Sequence, residues 1–400
     1  MGCAEVSTYY YSDQYPPTKP VIVINEILKK IKTLGEGSFG EVYLIKSQKT
    51  QLEFALKKIP LKSTKLKLKR ILGEVNILKE LDHPNIISFK GAFKSNDDQY
   101  LNIITEYVPQ GDFEKKIENN YKDKKYFEEK DILNWLFQVC LAIQYLHENS
   151  IIHRDIKPSN IFLMENNIIK LGDFGTSKNI SPYHRTKTLA GSPLYSAPEL
   201  LKQLEAIENN EKGNIIDLSY SYEVDIWSLG VTFLHIMSLE KPFDKNEDII
   251  NNIKSKKIFN KEKNCYIDKI VEKYSKEFLD LIDEMMTYEP SKRPSIEEIL
   301  KKDIIKKRMD LYLKENKFNK DEATEAINNY IKEFGIIERE EENSLFNDDK
   351  TNDNLDSLNT SRASCPLKEE KKKYDFARQL SKIHDYLQKS KTLNPKKKDS

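Results

Sequence analysis

The amino-acid sequence predicts an α+β fold built as one large two-lobed unit, and two kinds of pattern carry this prediction. Strand-like apolar runs come first, at Ile31–Leu34, Tyr43–Ile45 and Phe54–Lys57. Apolar residues at helical spacing follow, from Glu74 onward and again over Ile132–His147. Because 400 residues are many for a single core, we expect one large two-lobed unit followed by a tail.

Composition divides the chain into three parts. Dense apolar patterning broken by turn residues covers residues 27–305 and predicts the folded domain. Residues 1–26 are rich in Tyr, Ser, Thr and Pro and lack a helical or strand period, which predicts a flexible arm. Residues 306–400 form a charged tail, which we expect to be partly helical and partly disordered.

One stretch of the tail has a helical apolar face, formed by Phe376, Leu380, Ile383 and Leu387. Two interpretations stay open. The helix either docks on the folded domain or frays in solution, or it binds a partner or dimerises. The stripe is too short to predict a coiled coil.

Charge and cysteine usage exclude several classes of protein. The 65 basic and 64 acidic residues give a net charge of +1, so we expect no nucleic-acid partner. The four cysteines are far apart and form no CxxC pair, which argues against a disulfide framework or a zinc site. We find no apolar run long enough to span a membrane and no signal peptide. These features predict a cytoplasmic protein.

A glycine-rich segment separates the first two strand-like runs. Residues 35–42 read Gly-Glu-Gly-Ser-Phe-Gly-Glu-Val. Glycine allows a backbone to lie close to phosphates with its N–H groups available. A GxGxxG pattern by itself is weak, because dinucleotide-binding folds also contain it. In those folds a helix follows the glycines, whereas here the strand-like Tyr43–Ile45 follows.

A lysine on the next strand supplies the second part of a phosphate site. Lys57 ends the run Phe54–Lys57, and Glu74 opens an apolar helical pattern seventeen residues later. An ion pair between Lys57 and Glu74 would aim the lysine at the α- and β-phosphates of ATP. The glycine loop, the lysine and the helix glutamate occur in the order that such a phosphate site requires.

Two further motifs complete a phosphoryl-transfer set. Residues 153–160 read His-Arg-Asp-Ile-Lys-Pro-Ser-Asn, and residues 173–175 read Asp-Phe-Gly. Asp155 can accept or orient the proton of an attacking hydroxyl, and Lys157 can steady the transferred group. Asn160 and Asp173 offer oxygen ligands to Mg²⁺, which bridges the phosphates. We assign His153 to the core.

Taken together, these motifs resemble the eukaryotic protein-kinase domain, over about residues 27–304. Further landmarks are Ala-Pro-Glu at 197–199, a helix with the sequence Asp-Ile-Trp-Ser-Leu-Gly from 225, and Arg293 as the partner of Glu199 in a buried ion pair. The resemblance implies a small β-rich lobe with one main helix at about 27–106 and a larger, mostly helical lobe at about 107–305. It also implies ATP with Mg²⁺, or Mn²⁺ as its substitute, and protein substrates. The alternative class is a pseudokinase, which uses the same fold as a binding scaffold. Such proteins typically lack the counterparts of Lys57, Asp155 or Asp173, or the glycines, all of which are present here.

The resemblance also implies an ATP-binding set. Thr105 is expected behind the adenine, Glu106 and Val108 offer hinge backbone bonds, and Asp112 faces the ribose. The remaining implied contacts come from the glycine loop and its flanking strands: Leu34, Gly35, Glu36, Gly37, Ser38, Phe39, Gly40, Val42, Ala55 and Lys57.

Two positions indicate serine/threonine rather than tyrosine as the acceptor. Lys157, two residues after Asp155, is typical of serine/threonine kinases, and Ser192 lies where that class carries Thr. The Ser192 hydroxyl can hydrogen-bond Asp155 and Lys157. The residues from Glu106 and the Asp-Phe-Gly flanks resemble the NIMA-related kinases, whereas residues 190–195 look more like the autophagy-initiating kinases.

A long insertion and a threonine pair suggest regulation. The 25 residues between Glu199 and Asp225 include a polar segment at 201–219, which is either a tolerated surface loop or a docking loop. In kinases with an arginine in the position of Arg154, a phosphate on the activation segment commonly pairs with it. Thr186 and Thr188 are the candidates, through an upstream kinase or autophosphorylation, and Thr188 is preferred.

The first residues allow two interpretations. Gly2 and Cys3 are placed for myristate and palmitate, which together would anchor the chain to a membrane. However, Val6 stands where the myristoylation motif has Ser or Thr. The other interpretation is an unmodified disordered start.

Overall fold

A computed structural model describes residues 28–37, 40–48, 50–61, 65–95, 99–179, 192–202, 221–242, 270–330 and 366–392. Several predicted features lie outside these residues: Gly2, Cys3, Ser38, Phe39, Thr186, Thr188, most of the 201–219 segment, and residues 331–365 and 393–400 of the charged tail.

Five strands form the first sheet: β1 (Leu28–Gly37), β2 (Gly40–Ser47), β3 (Glu53–Pro60), β4 (Phe89–Lys94) and β5 (Tyr100–Glu106). They lie in the order β1-β2-β3-β5-β4. β1 pairs with β2, β2 with β3, and β3 with β5, all antiparallel. The predicted strand-like runs lie within β1, β2 and β3, and their β-branched and aromatic residues favour strands.

The register of this sheet separates two faces. Val42 pairs with Lys57, and Ala55 pairs with Thr105. Because alternate residues of a strand share a face, all four side chains lie on the same side of the sheet. The opposite face carries a cluster of buried residues: Leu28, Tyr43, Ile45, Leu56 and Ile104.

Gly40 has a structural reason to be glycine. Its φ is +139°, and a Cβ there would lie 2.0 Å from the backbone carbonyl oxygen of Lys58. Any side chain would therefore force β2 away from β3. Strand packing therefore requires glycine at the last position of the GxGxxG pattern. This reason is separate from the predicted contact of the pattern with phosphates.

The helices are α1 (Lys65–Glu80), α2 (Phe113–Lys122), α3 (Glu129–Glu148), α4 (Glu223–Ser238), α5 (Lys276–Met285), α6 (Ile296–Lys301), α7 (Asp303–Glu315), α8 (Lys320–Tyr330) and α9 (Pro366–Thr392). The predicted two-lobed α+β class is confirmed by the five-stranded sheet and the mostly helical remainder. No described helix is long and apolar enough to cross a membrane.

Contacts divide the described residues into two compact units. One unit contains the sheet residues up to 61 and 90–107, together with the described residues from Leu313 onward. The other contains α1 and the residues up to Phe89, with those described between Val108 and Tyr312. The second unit carries two short sheets, β6 (Ile151–Ile152) with β9 (Lys178–Asn179) and β7 (Ile161–Leu163) with β8 (Ile169–Leu171).

Helix α4 forms much of the core of the second unit. Every residue from Val224 to Ser238 is buried, which matches a helix that is apolar on most of its faces. Four of its polar residues fall at spacings of three and four, so that they share one side of the helix. These residues are Asp225, Ser228, Thr232 and His235.

The tail contains the expected amphipathic helix, α9. Leu380, Ile383 and Leu387 are buried, and Phe376 is half-buried. Helix α9 packs against α8, and the ring of His384 lies beside that of Phe318 at 5.2 Å between centroids. The apolar face is therefore used within the chain in this structure.

Candidate active site

Asp155 lies at the centre of a buried polar cluster in the second unit. It follows β6 and is only 6% exposed. Its Oδ1 accepts the backbone N–H of Ser192 at 3.0 Å, and its Oδ2 pairs with Nζ of Lys157 at 2.8 Å. These bonds hold the carboxylate in one orientation. A carboxylate so held can accept or orient the proton of a hydroxyl group.

Lys157 connects Asp155 to the segment that follows residue 191. Its Nζ donates to Oγ of Ser192 at 2.7 Å as well as pairing with Asp155. The expected bond between the Ser192 hydroxyl and Lys157 is therefore present. The contact between Ser192 and Asp155 goes through the serine backbone N–H instead of the hydroxyl. The cation lies between the two oxygens and fixes both.

Asn160 ends a 3₁₀ turn, Pro158–Asn160, that directly follows Lys157. Its Nδ2 donates to the backbone oxygen of Asp155 at 2.8 Å and to Oδ2 of Asp155 at 3.1 Å. Since the amide nitrogen is used in this way, the amide oxygen is the atom left for a metal. The side chain thus supports Asp155 while presenting a ligand that Mg²⁺ prefers.

Asp173 follows β8 and lies next to this cluster. The backbone N–H of Gly172 donates to the backbone oxygen of Asn160 at 2.9 Å, which holds the two predicted metal-binding residues on adjacent segments. Gly172 is tightly enclosed, because a Cβ there would lie 2.9 Å from the side chain of Ile87 and 3.0 Å from that of Phe162. A larger residue would displace Asp173.

Glu74 of α1 lies beside the same segment. A Cβ built on Gly175 would be 3.2 Å from Oε2 of Glu74 and 3.3 Å from Oδ1 of Asp173. Glu74 is buried. Lys57 belongs to the sheet unit, where it pairs with Val42 and Ile103 on the neighbouring strands. The Lys57–Glu74 ion pair stays a prediction.

Asp225 fixes the backbone that leads into Asp155. Its Oδ2 accepts the N–H of His153 at 2.9 Å, and its Oδ1 accepts the N–H of Arg154 at 2.8 Å. Nε2 of His147 lies 3.0 Å from Oδ2. Burial by itself raises the pKa of Asp225, but the hydrogen bonds from His147 and from the Arg154 backbone hold that pKa below its usual value.

His153 lies in the core, as we predicted from the sequence. It is fully buried, and burial lowers its pKa. Its Nε2 lies 3.2 Å from the backbone oxygen of Gly172, and its ring packs edge-on against Phe174 at 5.0 Å between centroids. The imidazole therefore joins the Asp155 segment to the Asp173 segment.

Arg154 has a strained backbone and a buried side chain. Its φ is +68° and that of Asp173 is +59°, a region that residues other than glycine rarely adopt. Each such residue costs on the order of 1 kcal/mol or more, which the surrounding bonds must offset. Nε of Arg154 donates to the backbone oxygen of Thr176 at 2.6 Å. The arginine thus contacts the start of the segment that contains Thr186 and Thr188.

The turn after Ser192 is held by two residues of α4. Ser228 donates its hydroxyl to the backbone oxygen of Tyr195 at 2.8 Å, and the Tyr195 hydroxyl lies 3.0 Å from Nδ1 of His235. Thr232, on the same side of α4, donates to the backbone oxygen of Ile156 at 3.1 Å. One face of α4 therefore positions both the Asp155 segment and the Ser192 turn.

Glu199 and Arg293 form the ion pair expected from the sequence. Two parallel hydrogen bonds join the guanidinium to the carboxylate, at 2.7 and 2.8 Å. Arg293 also donates to the backbone oxygens of Thr287, Glu223 and Tyr288 and stacks on Trp227. Because all the guanidinium directions are used, the pair has a structural role.

The predicted ATP-binding residues lie on the sheet and just after it. Leu34 is half-buried on β1, and Val42, Ala55 and Thr105 share the face that carries Lys57. Glu106 and Val108 are buried. Asp112, the expected ribose contact, is the N-cap of α2 and accepts the N–H of Lys115 at 3.0 Å. Their contacts with ATP stay predictions.

Several positioning residues were missed from the sequence. His147, Thr176, Thr232 and His235 hold the cluster through buried hydrogen bonds. The polar spacing on α4 could have indicated Thr232 and His235, because a polar residue inside an apolar helix needs a buried partner. The contact of Thr176 with the His153 backbone oxygen depends on tertiary geometry and has no local signal.

Two features define the catalytic domain of a protein kinase. One is a sheet with a glycine-rich segment between its first two strands and a lysine on its third. The other is a helical unit that joins Asp155, Lys157, Asn160 and Asp173. The model of the protein kinase domain matches residues 28–305. Since this is more than half of the chain, the chain belongs to the protein kinase domain family.

Individual proteins of similar sequence indicate which kind of protein kinase this chain resembles. The chain is 36% identical to probable serine/threonine-protein kinase nek3 of Dictyostelium discoideum, over 72% of this chain and 24% of that protein. It is 32% identical to serine/threonine-protein kinase Nek3 of Mus musculus, over 68% of this chain and 48% of that protein. Nek2 of Mus musculus is also 32% identical, over 72% of this chain and 61% of its own length.

These names confirm the expected resemblance to the NIMA-related kinases. The chain spans only part of each relative, 61% of Nek2 and less of the other two. The similarity thus concerns the kinase domain.

Proposed function

We propose that this chain is an active serine/threonine protein kinase of NIMA-related type, which transfers the γ-phosphoryl group of ATP to serine or threonine hydroxyls of proteins. The observation that carries the proposal is the cluster around Asp155, in which Lys157, Asn160 and Ser192 all contact one buried carboxylate. A substrate hydroxyl beside Asp155 would lose its proton to, or be oriented by, that carboxylate.

The residues present fit ATP and Mg²⁺. The amide oxygen of Asn160 and the carboxylate of Asp173 are hard oxygen ligands on adjacent segments, and Mn²⁺ accepts the same ligand type. When bound, the metal neutralises charge on the phosphates. Lys57, oriented by Glu74, would bind the phosphates, while the glycine segment 35–40 would cover them.

The test is transfer of radiolabelled phosphate from ATP by the full chain. We expect transfer to serine and threonine peptides that needs Mg²⁺ or Mn²⁺ and stops with a chelator, with far less transfer to matched tyrosine peptides. Equal transfer to tyrosine would contradict the assignment of acceptor. ATP binding without transfer would instead support a pseudokinase scaffold.

We further infer that a phosphate on Thr188 activates the enzyme. Arg154 directly precedes Asp155 and contacts the backbone oxygen of Thr176, so a phosphate drawn to this arginine would act on the catalytic segment. Thr188→Ala should lose activity that Thr186→Ala retains. Full activity of Thr188→Ala, with the parent phosphorylated at Thr188, would refute the inference.

Membrane contact is a separate proposal that depends on the first residues. Acylation of Gly2 and Cys3 would give two membrane-binding chains on an otherwise cytoplasmic protein. Mass spectrometry of the native N-terminus tests this. An unmodified Gly2 rules the anchor out.

A further inference from the structure

A pair of opposite charges lies beside the Ser192 turn. Glu114 belongs to the first turn of α2, and Lys241 follows α4. Nζ of Lys241 is 3.5 Å from Oε1 of Glu114. The glutamate side chain is 25% exposed and the lysine side chain is 55% exposed. Neither residue belongs to the predicted catalytic set.

The position of this pair connects it to the acceptor site. Helix α2 packs against the 3₁₀ turn that carries Asn160 and against β7. Lys241 comes soon after the last turn of α4, in which His235 holds the phenol of Tyr195. The pair therefore bridges two elements that each contact the residues around Asp155.

Electrostatics at Tyr195 support this placement. Burial is the main reason that the pKa of Tyr195 is raised, and the carboxylates of Glu114 and Asp155 raise it further. Both acids thus act on the same phenol, which ends the turn begun by Ser192. Helix α2, which carries Glu114, packs against the turn whose Asn160 bonds Asp155, so Glu114 lies on an element next to the acceptor site.

The two members of the pair differ in how firmly they are held. Glu114 lies on a helix, in a first turn where the helix dipole favours an acid. Lys241 lies beyond the C-cap of α4 on a long, exposed side chain. An exposed pair of this kind changes an equilibrium constant by only about fivefold or less. A competing cation can therefore displace Lys241 and leave Glu114 in place.

The neighbouring ionisable groups already have partners. His235 is buried, its pKa is lowered to about 4, and its Nδ1 faces Tyr195, so it adds no charge near neutral pH. Asp112 pairs with Lys115 at 3.4 Å, and Asp155 pairs with Lys157. Asp112 and Asp155 also accept backbone N–H groups, those of Lys115 and Ser192, which a substrate cation does not replace. At Glu114 the described contact is with the exposed side chain of Lys241, which a substrate cation can replace.

We propose that Glu114 is a specificity residue that selects protein substrates with an arginine or lysine at one fixed position near the acceptor hydroxyl. In the free enzyme Lys241 contacts the Glu114 carboxylate, and the basic side chain of the substrate replaces it. An arginine would bind better than a lysine, because its planar group can make two bonds to the carboxylate. This proposal rests on the proposed kinase function.

The experiment is a positional scan of serine peptides, in which arginine, glutamine or glutamate replaces each residue around the acceptor in turn. The parent is compared with Glu114→Gln, Glu114→Lys and the matched control Glu118→Gln, which lies exposed on the same helix. We expect the parent to prefer arginine over glutamine at one position by about three- to fivefold. Glu118→Gln should keep that ratio, and Glu114→Gln should abolish it.

Charge reversal separates recognition from a structural effect. Glu114→Lys should favour glutamate at the same position where the parent favours arginine, a result that a merely structural role would not produce. A parent that phosphorylates peptides without any basic preference, or a preference that Glu114→Gln keeps, would overturn the proposal. A parent that phosphorylates no peptide would refute the kinase function itself, and this proposal with it.

Discussion

The backbone N–H of Arg154 donates to Oδ1 of Asp225 at 2.8 Å, although the two residues are 71 positions apart. The other carboxylate oxygen accepts the N–H of His153 at 2.9 Å. One fully buried side chain of α4 therefore determines the backbone geometry immediately before Asp155. This bond also offsets the strain of the left-handed Arg154 backbone.

Replacing Asp225 by alanine should destabilise the protein strongly. The change leaves two buried backbone N–H groups without their acceptor, at a cost of about 3 kcal/mol in the free energy of unfolding. Urea denaturation measures this effect. Asp280→Asn, on the exposed side of α5, should change the midpoint little. Equal stability of Asp225→Ala and the parent would contradict the role given to Asp225.

The Glu199–Arg293 pair predicts an asymmetric response. Glu199→Gln removes a charge but keeps a hydrogen-bonding group, whereas Arg293→Met also removes the donors to three backbone oxygens. Both changes should lower the free energy of unfolding, by about 3–5 kcal/mol for Arg293→Met and less for Glu199→Gln. A larger loss from Glu199→Gln in matched urea titrations would contradict this ranking.

Burial of His235 predicts a dependence of stability on pH. Its pKa is lowered from 6.5 to about 4, chiefly by burial and also by the charge of Lys241. Between these values the unfolded chain binds a proton that the folded chain does not. The free energy of unfolding should therefore fall as pH drops from about 6.5 toward 4, by up to about 3 kcal/mol from this residue.

His235→Asn isolates that contribution. The amide does not titrate and can still bond the Tyr195 hydroxyl, while His153, which titrates in the same direction, is unchanged. The variant should lose less stability than the parent over this pH range. Parallel stability curves for the two proteins would show that His235 is not the source.

Ser192 should matter for turnover through its hydroxyl. Ser192→Ala removes the acceptor of the Lys157 bond, whereas Ser192→Thr keeps a hydroxyl. We expect kcat of the alanine variant to fall by about tenfold, since one positioning bond of 1–1.5 kcal/mol is lost. The threonine variant should retain most activity. Steady-state kinetics that show no difference between the variants would contradict this role.

Much of the site could be predicted because its residues lie in local motifs. Segments 153–160 and 173–175 are short motifs whose residues are close in sequence. The structure brings Asp155, Lys157 and Asn160 of the first motif together as hydrogen-bonding neighbours. The first strands of the sheet could also be predicted from the sequence, because strand, glycine-rich segment and strand follow one another directly. Glu199 and Arg293 were also predictable, but only through resemblance.

The positioning residues could not be found in this way. His235 and Tyr195 are 40 positions apart, and their bond depends on the direction in which the Ser192 turn crosses α4. Gly40 shows a different limit: the pattern indicated a phosphate loop, while the contact that excludes a side chain is with the carbonyl oxygen of Lys58. Such close approaches are properties of packing.

The central claim is that Asp155 carries phosphoryl transfer, and the most direct measurement compares Asp155→Asn with the parent. The amide has the same size and can still accept the Ser192 N–H, so the fold should be kept. With Mg²⁺ and radiolabelled ATP, we expect transfer to serine peptides to fall at least about 100-fold. Undiminished transfer by a folded Asp155→Asn protein would contradict the account.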